Sequence, residues 1–137
     1  AGIDFSRASV AAARAALDAA TSDARLTLVH AQAPDGNSMS DDEHAVVHEL
    51  GVASALEEIR AFLLNGLPTG STVTIDTLVE SALPSELLLS AAARLDADLI
   101  AIASRRHGRV ARLMLGSVAD DLTHACLTSL LLVPPAP

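Results

Sequence analysis

Four arginines in the second half of the chain, followed by a glycine and a serine, are the residues whose type and spacing most clearly suggest a binding site. Within eight positions lie four of the nine basic residues, Arg105, Arg106, Arg109 and Arg112. Gly116 and Ser117 then stand where the pattern predicts the start of a helix. Backbone N–H groups and the helix dipole favour an anion at a helix start, so this stretch is a candidate phosphate site.

A structural interpretation of the same stretch stays open beside the phosphate site. Ser117 and Asp120 have the spacing of a capping box, which would begin the helix without any ligand. The arginines would then form a solvated loop that balances an acidic surface.

Asp4 is the second candidate, because it lies where the first strand is predicted to end. Its carboxylate could accept hydrogen bonds from a nucleoside, or it could cap the first helix beside Ser6. Both interpretations stay open.

The histidines and the single cysteine give weaker signals. His44 and His48 lie one helical turn apart, a spacing that can hold a metal, but no third ligand is evident and no metal site is predicted. Three further residues are expected to be packed side chains rather than catalytic groups: His30, His124 and Cys126.

Strands and helices must alternate along the chain to position these residues. Extended apolar patterns predict strands at residues 1–5, 25–31, 72–79, 98–103 and 129–133. Helices are predicted between them, beginning at Ser6, Ser40, Pro84 and Ser117. The pattern predicts a single α/β domain over residues 1–137, with a parallel sheet, helices on both faces and a first strand truncated at its start.

Ligands of such sheets bind beyond the carboxyl ends of the strands, where the strand order reverses. The sequence alone does not give the order of the strands. If the order is 3-2-1-4-5, Asp4 faces the loop at residues 103–116 across the crevice.

The composition excludes several classes of function. Seventeen acidic residues against nine basic ones give a net charge of −8, which disfavours nucleic acids and membrane surfaces as partners. Two Phe and no Tyr or Trp leave no aromatic platform for stacking bases. One cysteine excludes an internal disulfide, and no signal peptide is visible, so we expect a cytoplasmic protein.

The motifs of several enzyme classes are absent. The chain has no lysine and so no Walker motif, no glycine-rich dinucleotide fingerprint after the first strand, and no G-x-S-x-G elbow. No acid and base are paired in the sequence. We therefore expect a binding domain and not an enzyme.

Five segments in order and spacing carry a resemblance to a known family: Ile-Asp-Phe-Ser at 3–6, Leu-Val-His-Ala at 28–31, Ala-Asp-Leu-Ile at 97–100, and residues 112–120 and 129–134. Over its whole length the chain resembles the universal stress protein family. The resemblance implies an open, Rossmann-like, five-stranded parallel sheet in the order 3-2-1-4-5, usually in a dimer.

Members of that family that bind ATP share a G-x2-G-x9-G-[ST] loop. Here Gly116 and Ser117 are kept, while Ala103 and Arg106 replace the first two glycines. Arg106 could obstruct the triphosphate, or it could hold a phosphate bidentately. Gly108 could also take the place of the missing glycine if the loop is shifted by two residues. The nucleotide-binding residues that the resemblance implies are Ile3, Asp4, Ala31 and Ile102 for the adenosine, and Ala103, Arg106, Gly116, Ser117, Val118 and Ala119 along the loop and at the phosphates.

Three hypotheses of function follow from the resemblance. The first is a stress or regulatory protein that binds ATP, ADP or AMP, with Mg²⁺ if the ligand is ATP. The second is a dimeric interaction module of the same family that binds no nucleotide. The third is slow ATP hydrolysis or self-phosphorylation, for which the sequence shows no base.

A homodimer is predicted from the last strand. Residues 129–133 are apolar, no charge occurs between 125 and 137, and the order 3-2-1-4-5 places this strand at an edge of the sheet. An unprotected edge pairs readily with another chain, here with its own copy about a two-fold axis. Residues preceding the first strand, or the proline tail, could cover the edge instead.

Overall fold

Helices and parallel strands alternate in the computed structural model of the protein, as the sequence predicts. It describes residues 1–33, 42–104 and 116–134, and at 42–50 the backbone only. The elements in order are α1 (Arg7–Ala19), β1 (Arg25–Gln32), α2 (Asp42–Asn65), β2 (Thr74–Ser81), α3 (Pro84–Arg94), β3 (Leu99–Ala103), α4 (Ser117–Ala125) and β4 (Ser129–Val133). The α/β class is confirmed.

The strands form two parallel pairs, β1 with β2 and β3 with β4. In the first pair Arg25 lies opposite Thr74, and in the second Leu99 lies opposite Ser129. Two sheets of two strands are thus assigned within the described residues, and the single five-stranded sheet is not confirmed.

Residues 1–3 lie between these two pairs, where the first strand was predicted. The Ile3 N–H donates to the Val29 carbonyl at 2.8 Å, and the Val29 N–H donates to the Ala1 carbonyl at 2.8 Å. On the other side, the Gly2 N–H donates to the Ala101 carbonyl at 2.9 Å. This short pairing amounts to one isolated bridge, between Gly2 and Val29.

The buried side chains form two clusters, one on each side of the strands. Leu28 belongs to the cluster shared with α1 and α2, whereas the next residue, Val29, belongs to the cluster shared with α3 and α4. Successive side chains of a strand point to opposite faces, so β1 is covered by helices on both faces, as predicted. Leu28 and Leu122 are fully buried, one in each cluster.

Local sequence signals place most helix starts correctly. Ser6 caps α1 by accepting the Ser9 N–H at 3.1 Å, and Pro84 occupies the first turn of α3. The start of β2 was predicted two residues too early. The Thr72 hydroxyl donates at 2.7 Å to the carbonyl of Ser22, in the turn before β1, and Thr72 lies outside the strand.

The described residues also bear on membranes and metals. No helix among them is long and apolar enough to cross a membrane. In the same part of the chain, no three His, Cys, Asp or Glu side chains come together where they could hold a metal ion.

Candidate functional site

A cavity of about 310 Å³ lies at the carboxyl ends of β1 and β3. Nine of the ten predicted site residues line it: Ile3, Asp4, Ala31, Ile102, Ala103, Gly116, Ser117, Val118 and Ala119. The tenth, Arg106, lies outside the described residues. The structure therefore brings together residues from both halves of the chain, while their roles in binding stay predictions.

Five further residues line the cavity and were not predicted: Gly2, Val29, His30, Pro84 and Leu88. Pro84 and Leu88 lie one turn apart at the start of α3. That spacing was visible in the sequence, but nothing in it indicated that α3 covers this end of the strands. His30 was expected to be only a packed residue, and it is half-buried at the cavity.

A larger cavity, of about 430 Å³, lies at the opposite ends of the strands. Mostly apolar residues of α1, α3 and the strand starts line it, and none of the ten predicted site residues is among them. Volume alone therefore does not identify the candidate site. The smaller cavity is preferred because it is the one at the carboxyl ends of the strands.

Beside the cavity, residues 1–3 stop pairing with β1 earlier than a regular ladder would. The Ile3 carbonyl is bound by Nδ1 of His30 at 2.8 Å, and the Asp4 N–H donates to the Ser9 hydroxyl at 3.3 Å. Both backbone groups are thus taken by side chains, and the chain turns away from the neighbouring strands at Asp4.

The backbone of Ala31 is left open at this point. The N–H and the carbonyl of Val29 both face residues 1–3, and residues two apart in a strand face the same side, so the Ala31 N–H faces that side too. Among the described residues, the structure gives this N–H no hydrogen-bond acceptor. Ala31 therefore offers a backbone donor at the cavity.

Asp4 serves the helix cap and lines the cavity at the same time. Its Oδ1 accepts the Ser6 N–H at 3.0 Å and the Ser6 hydroxyl at 2.5 Å, while Ser6 in turn caps α1. Asp4 thus holds Ser6, the residue that caps α1. A nucleoside contact by the same carboxylate stays a prediction, and its position in the cavity lining is compatible with it.

The α4 helix begins at the cavity without a side-chain cap. Gly116 is the N-cap residue and Ser117 is the first helical residue, so the predicted capping box of Ser117 with Asp120 is wrong. The Ser117 hydroxyl cannot take the cap position because Ser117 is already the first helical residue and Gly116 holds the N-cap position. The first-turn N–H groups, at Ser117 to Ala119, lack partners within the helix and favour an anion.

The arginines and the histidine pair cannot be placed. Arg105, Arg106, Arg109 and Arg112 lie outside the described residues, and so does Gly108. His44 and His48 fall within α2, where the backbone only is described.

Phe5 adopts a left-handed backbone conformation directly after Asp4, with φ of 62°. This conformation costs a residue other than glycine about 1–2 kcal/mol. Its ring packs on His30 with the ring centroids 4.5 Å apart and the planes tilted by 50°. The turn at Phe5 redirects the chain from the strand into α1.

Replacing Phe5 by glycine should give a more stable protein than replacing it by alanine, by about 1 kcal/mol. Both variants lose the ring contact with His30, but only glycine adopts a positive φ without strain. Urea unfolding of the two variants measures the difference. As a control, Ala15→Gly within α1 should destabilise by about 0.5–1 kcal/mol, and a Phe5→Gly variant less stable than Phe5→Ala would contradict the argument.

An open α/β fold with a crevice at the carboxyl ends of parallel strands is typical of proteins that bind small ligands. The family model described as "Universal stress protein family" matches residues 1–134. The chain belongs to the universal stress protein family, which confirms the resemblance seen in the sequence.

Solved structures of the same family share the fold. A universal stress protein in complex with cAMP is 22% identical, with a TM-score of 0.71, covering 98% of this chain and 94% of that one. UspA from Lactobacillus plantarum is 17% identical, with a TM-score of 0.70 and coverages of 96% and 93%. A family member from Burkholderia pseudomallei is 23% identical, with a TM-score of 0.68 and coverages of 98% and 92%. No curated protein matches the chain.

Proposed function

We propose that this protein binds an adenine nucleotide in the cavity at the carboxyl ends of β1 and β3. The observation that carries the proposal is the convergence on one cavity of the Ala31 N–H, the Asp4 carboxylate and the start of α4. A backbone donor suits the edge of a base, a carboxylate suits ribose hydroxyls, and a helix start suits a phosphate.

The size of the cavity favours a mononucleotide. Small-molecule sites measure about 300–1,000 Å³, and this one, at about 310 Å³, lies at the lower limit. The similar structure that contains cAMP, a cyclic mononucleotide, supports the same class of ligand. AMP is therefore the first ligand to test, followed by ADP and by ATP with Mg²⁺.

The direct test is whether the purified protein carries a nucleotide. The protein is denatured, and the supernatant is separated by anion exchange with detection at the absorbance of adenine. Calorimetry of the stripped protein with AMP, ADP and ATP follows. Saturable binding of an adenine nucleotide supports the proposal, whereas neither retention nor binding would overturn it.

The second candidate function is a dimeric interaction module that binds no nucleotide. It is favoured by Ala103 and Arg106, which stand where ATP-binding members of the family carry glycine. A protein that dimerises but binds none of the three nucleotides would establish this alternative.

Asp4→Asn should weaken AMP binding about ten-fold, since a hydrogen bond to a charged group contributes about 1.5–3 kcal/mol. The asparagine side chain keeps an oxygen that can accept from Ser6, so the cap of α1 is retained. Calorimetry compares the variant with Asp18→Asn, which removes the same charge from an exposed position on α1. Unchanged affinity in Asp4→Asn would leave this residue a role in the cap only.

We propose that the protein binds its nucleotide without chemical turnover. Asp4 and His30 are the only ionisable side chains among the described residues of the cavity, and Nδ1 of His30 is bound to the Ile3 carbonyl. Slow hydrolysis or self-phosphorylation would show as release or transfer of labelled phosphate from ATP.

We also propose that residues 1–3 act as the central strand of one five-stranded sheet in the order 3-2-1-4-5. Their hydrogen bonds to Val29 on one side and Ala101 on the other support this order. β4 then lies at an edge, where a second copy of the chain can pair with it.

The proposed protein is a cytoplasmic homodimer that, with a net charge of −8, binds neither nucleic acid nor membrane.

A further inference from the structure

His30 interrupts the hydrogen-bond ladder at the site where the cavity opens. In a regular parallel ladder the Ile3 carbonyl would accept the Ala31 N–H, because the preceding bonds already join Ala1 and Ile3 to Val29. In the structure the Ile3 carbonyl is instead 2.8 Å from Nδ1 of His30. The His30 side chain thus binds the carbonyl oxygen that the backbone N–H of the next residue, Ala31, would bind in a regular ladder.

This contact determines where the imidazole carries its proton. A carbonyl oxygen can only accept a hydrogen bond, so Nδ1 of His30 must be the donor and must be protonated. In the neutral ring Nε2 then has no proton. The Phe5 ring, 4.5 Å from the imidazole between centroids, packs against it on the side of the turn into α1.

We infer that His30 is a positioning residue that keeps the Ala31 N–H available to a ligand. By drawing the Ile3 carbonyl towards the imidazole and away from the Ala31 N–H, its Nδ1–H prevents residues 1–3 from pairing one step further with β1 and closing the end of the crevice. The identity of the ligand, an adenine base, rests on the proposed function. The geometry of the protein without a ligand does not.

Two variants distinguish the effect of losing the Nδ1 donor from the effect of changing the size of the side chain. His30→Leu removes the Nδ1 donor and keeps an apolar group of similar size beside Phe5. His30→Asn places an amide nitrogen near the position of Nδ1 and can still donate to the Ile3 carbonyl.

Amide hydrogen exchange by NMR, in the protein without ligand, is the first measurement. In the wild type the Ala31 amide should exchange at least about ten-fold faster than in His30→Leu, where it becomes bonded to Ile3. His30→Asn should behave as the wild type does. The nitrogen shifts of the wild-type imidazole should show Nδ1 protonated and Nε2 unprotonated in the neutral ring, a result that needs no variant.

Binding is the second measurement. His30→Leu should bind AMP about ten-fold more weakly, the effect of one lost hydrogen bond, with rescue by His30→Asn. Ribose 5-phosphate, which lacks the base, should bind equally to all three proteins, whereas general damage to the fold would weaken both ligands.

Two results would overturn the role of His30: an unprotonated Nδ1 in the neutral wild-type ring, or an unchanged Ala31 exchange rate in folded His30→Leu. If His30→Leu does not fold, the nitrogen shifts of the wild-type imidazole and the Ala31 exchange rate in His30→Asn, which should match that of the wild type, decide the question. If the wild type binds no AMP, the proposed function fails, while the exchange and tautomer results still decide what His30 does.

Discussion

Ala31→Leu should reduce AMP affinity at least about a hundred-fold, a loss of about 2.7 kcal/mol, while the protein stays folded. Ala31 is half-buried and lines the cavity at the end of β1, with its side chain packed against the cluster of α3 and α4. Three added carbon atoms would occupy the space in which we place the base. The larger side chain destabilises the fold less here than it would in a closed core, because the added atoms extend into an open cavity.

A matched control for this variant is Ala19→Leu, which makes the same change at an exposed position. Ala19 lines the larger cavity at the opposite ends of the strands. Calorimetry with AMP, together with thermal unfolding of both variants, distinguishes the two cavities. If Ala31→Leu binds AMP as the wild type does, the ligand lies elsewhere, and a loss of binding in Ala19→Leu instead would point to the larger cavity.

If the proposed homodimer forms through β4, Leu130→Pro should raise its dissociation constant about a hundred-fold, because the two-fold axis repeats each lost contact. The Ser104 N–H donates to the Val133 carbonyl at 2.8 Å, so Val133 faces β3. Residues two apart face the same side, and the Leu130 N–H therefore points to the outer edge of β4. Proline there removes an outward donor and leaves the pairing with β3 in place.

The side chain of Leu130 must be accounted for separately, because it packs partly against the cluster of α3 and α4. Leu130→Ala removes that packing but keeps the N–H, and it should dimerise nearly as the wild type does. Leu131 is unsuitable for this test, since it packs against the other core cluster. Sedimentation velocity at micromolar concentration measures all three proteins, and a wild type that runs as a 14.1 kDa monomer would contradict the dimer.

The elements themselves could be predicted from the sequence, because they depend on neighbours in the chain. The bounds of α4 and β4 agree with those predicted, and Ser6 caps α1 as expected. Periodicity, caps and prolines act over one or two turns, and the alternating pattern leaves few possible topologies. The family resemblance, carried over position by position, named nine further residues at strand ends and at a helix start, and the structure gathers them around one cavity.

The sequence misled where contacts between distant residues decide the outcome. The start of β2 was predicted at Thr72, which lies outside the strand, with its hydroxyl bound to the Ser22 carbonyl fifty residues earlier in the chain. Ser117 was assigned the cap that Gly116 holds.

The opening of the site was also beyond local reasoning. It depends on His30 binding the Ile3 carbonyl, 27 residues away, and on Phe5 in a left-handed conformation against that ring. No periodicity encodes such a contact, because it exists only after two strands are adjacent and one of them stops pairing. The sequence by itself determined which elements form and which residues stand at their ends. The tertiary structure decided which backbone groups those ends leave unpaired, since hydrogen bonds between strands depend on the spatial order of the chain.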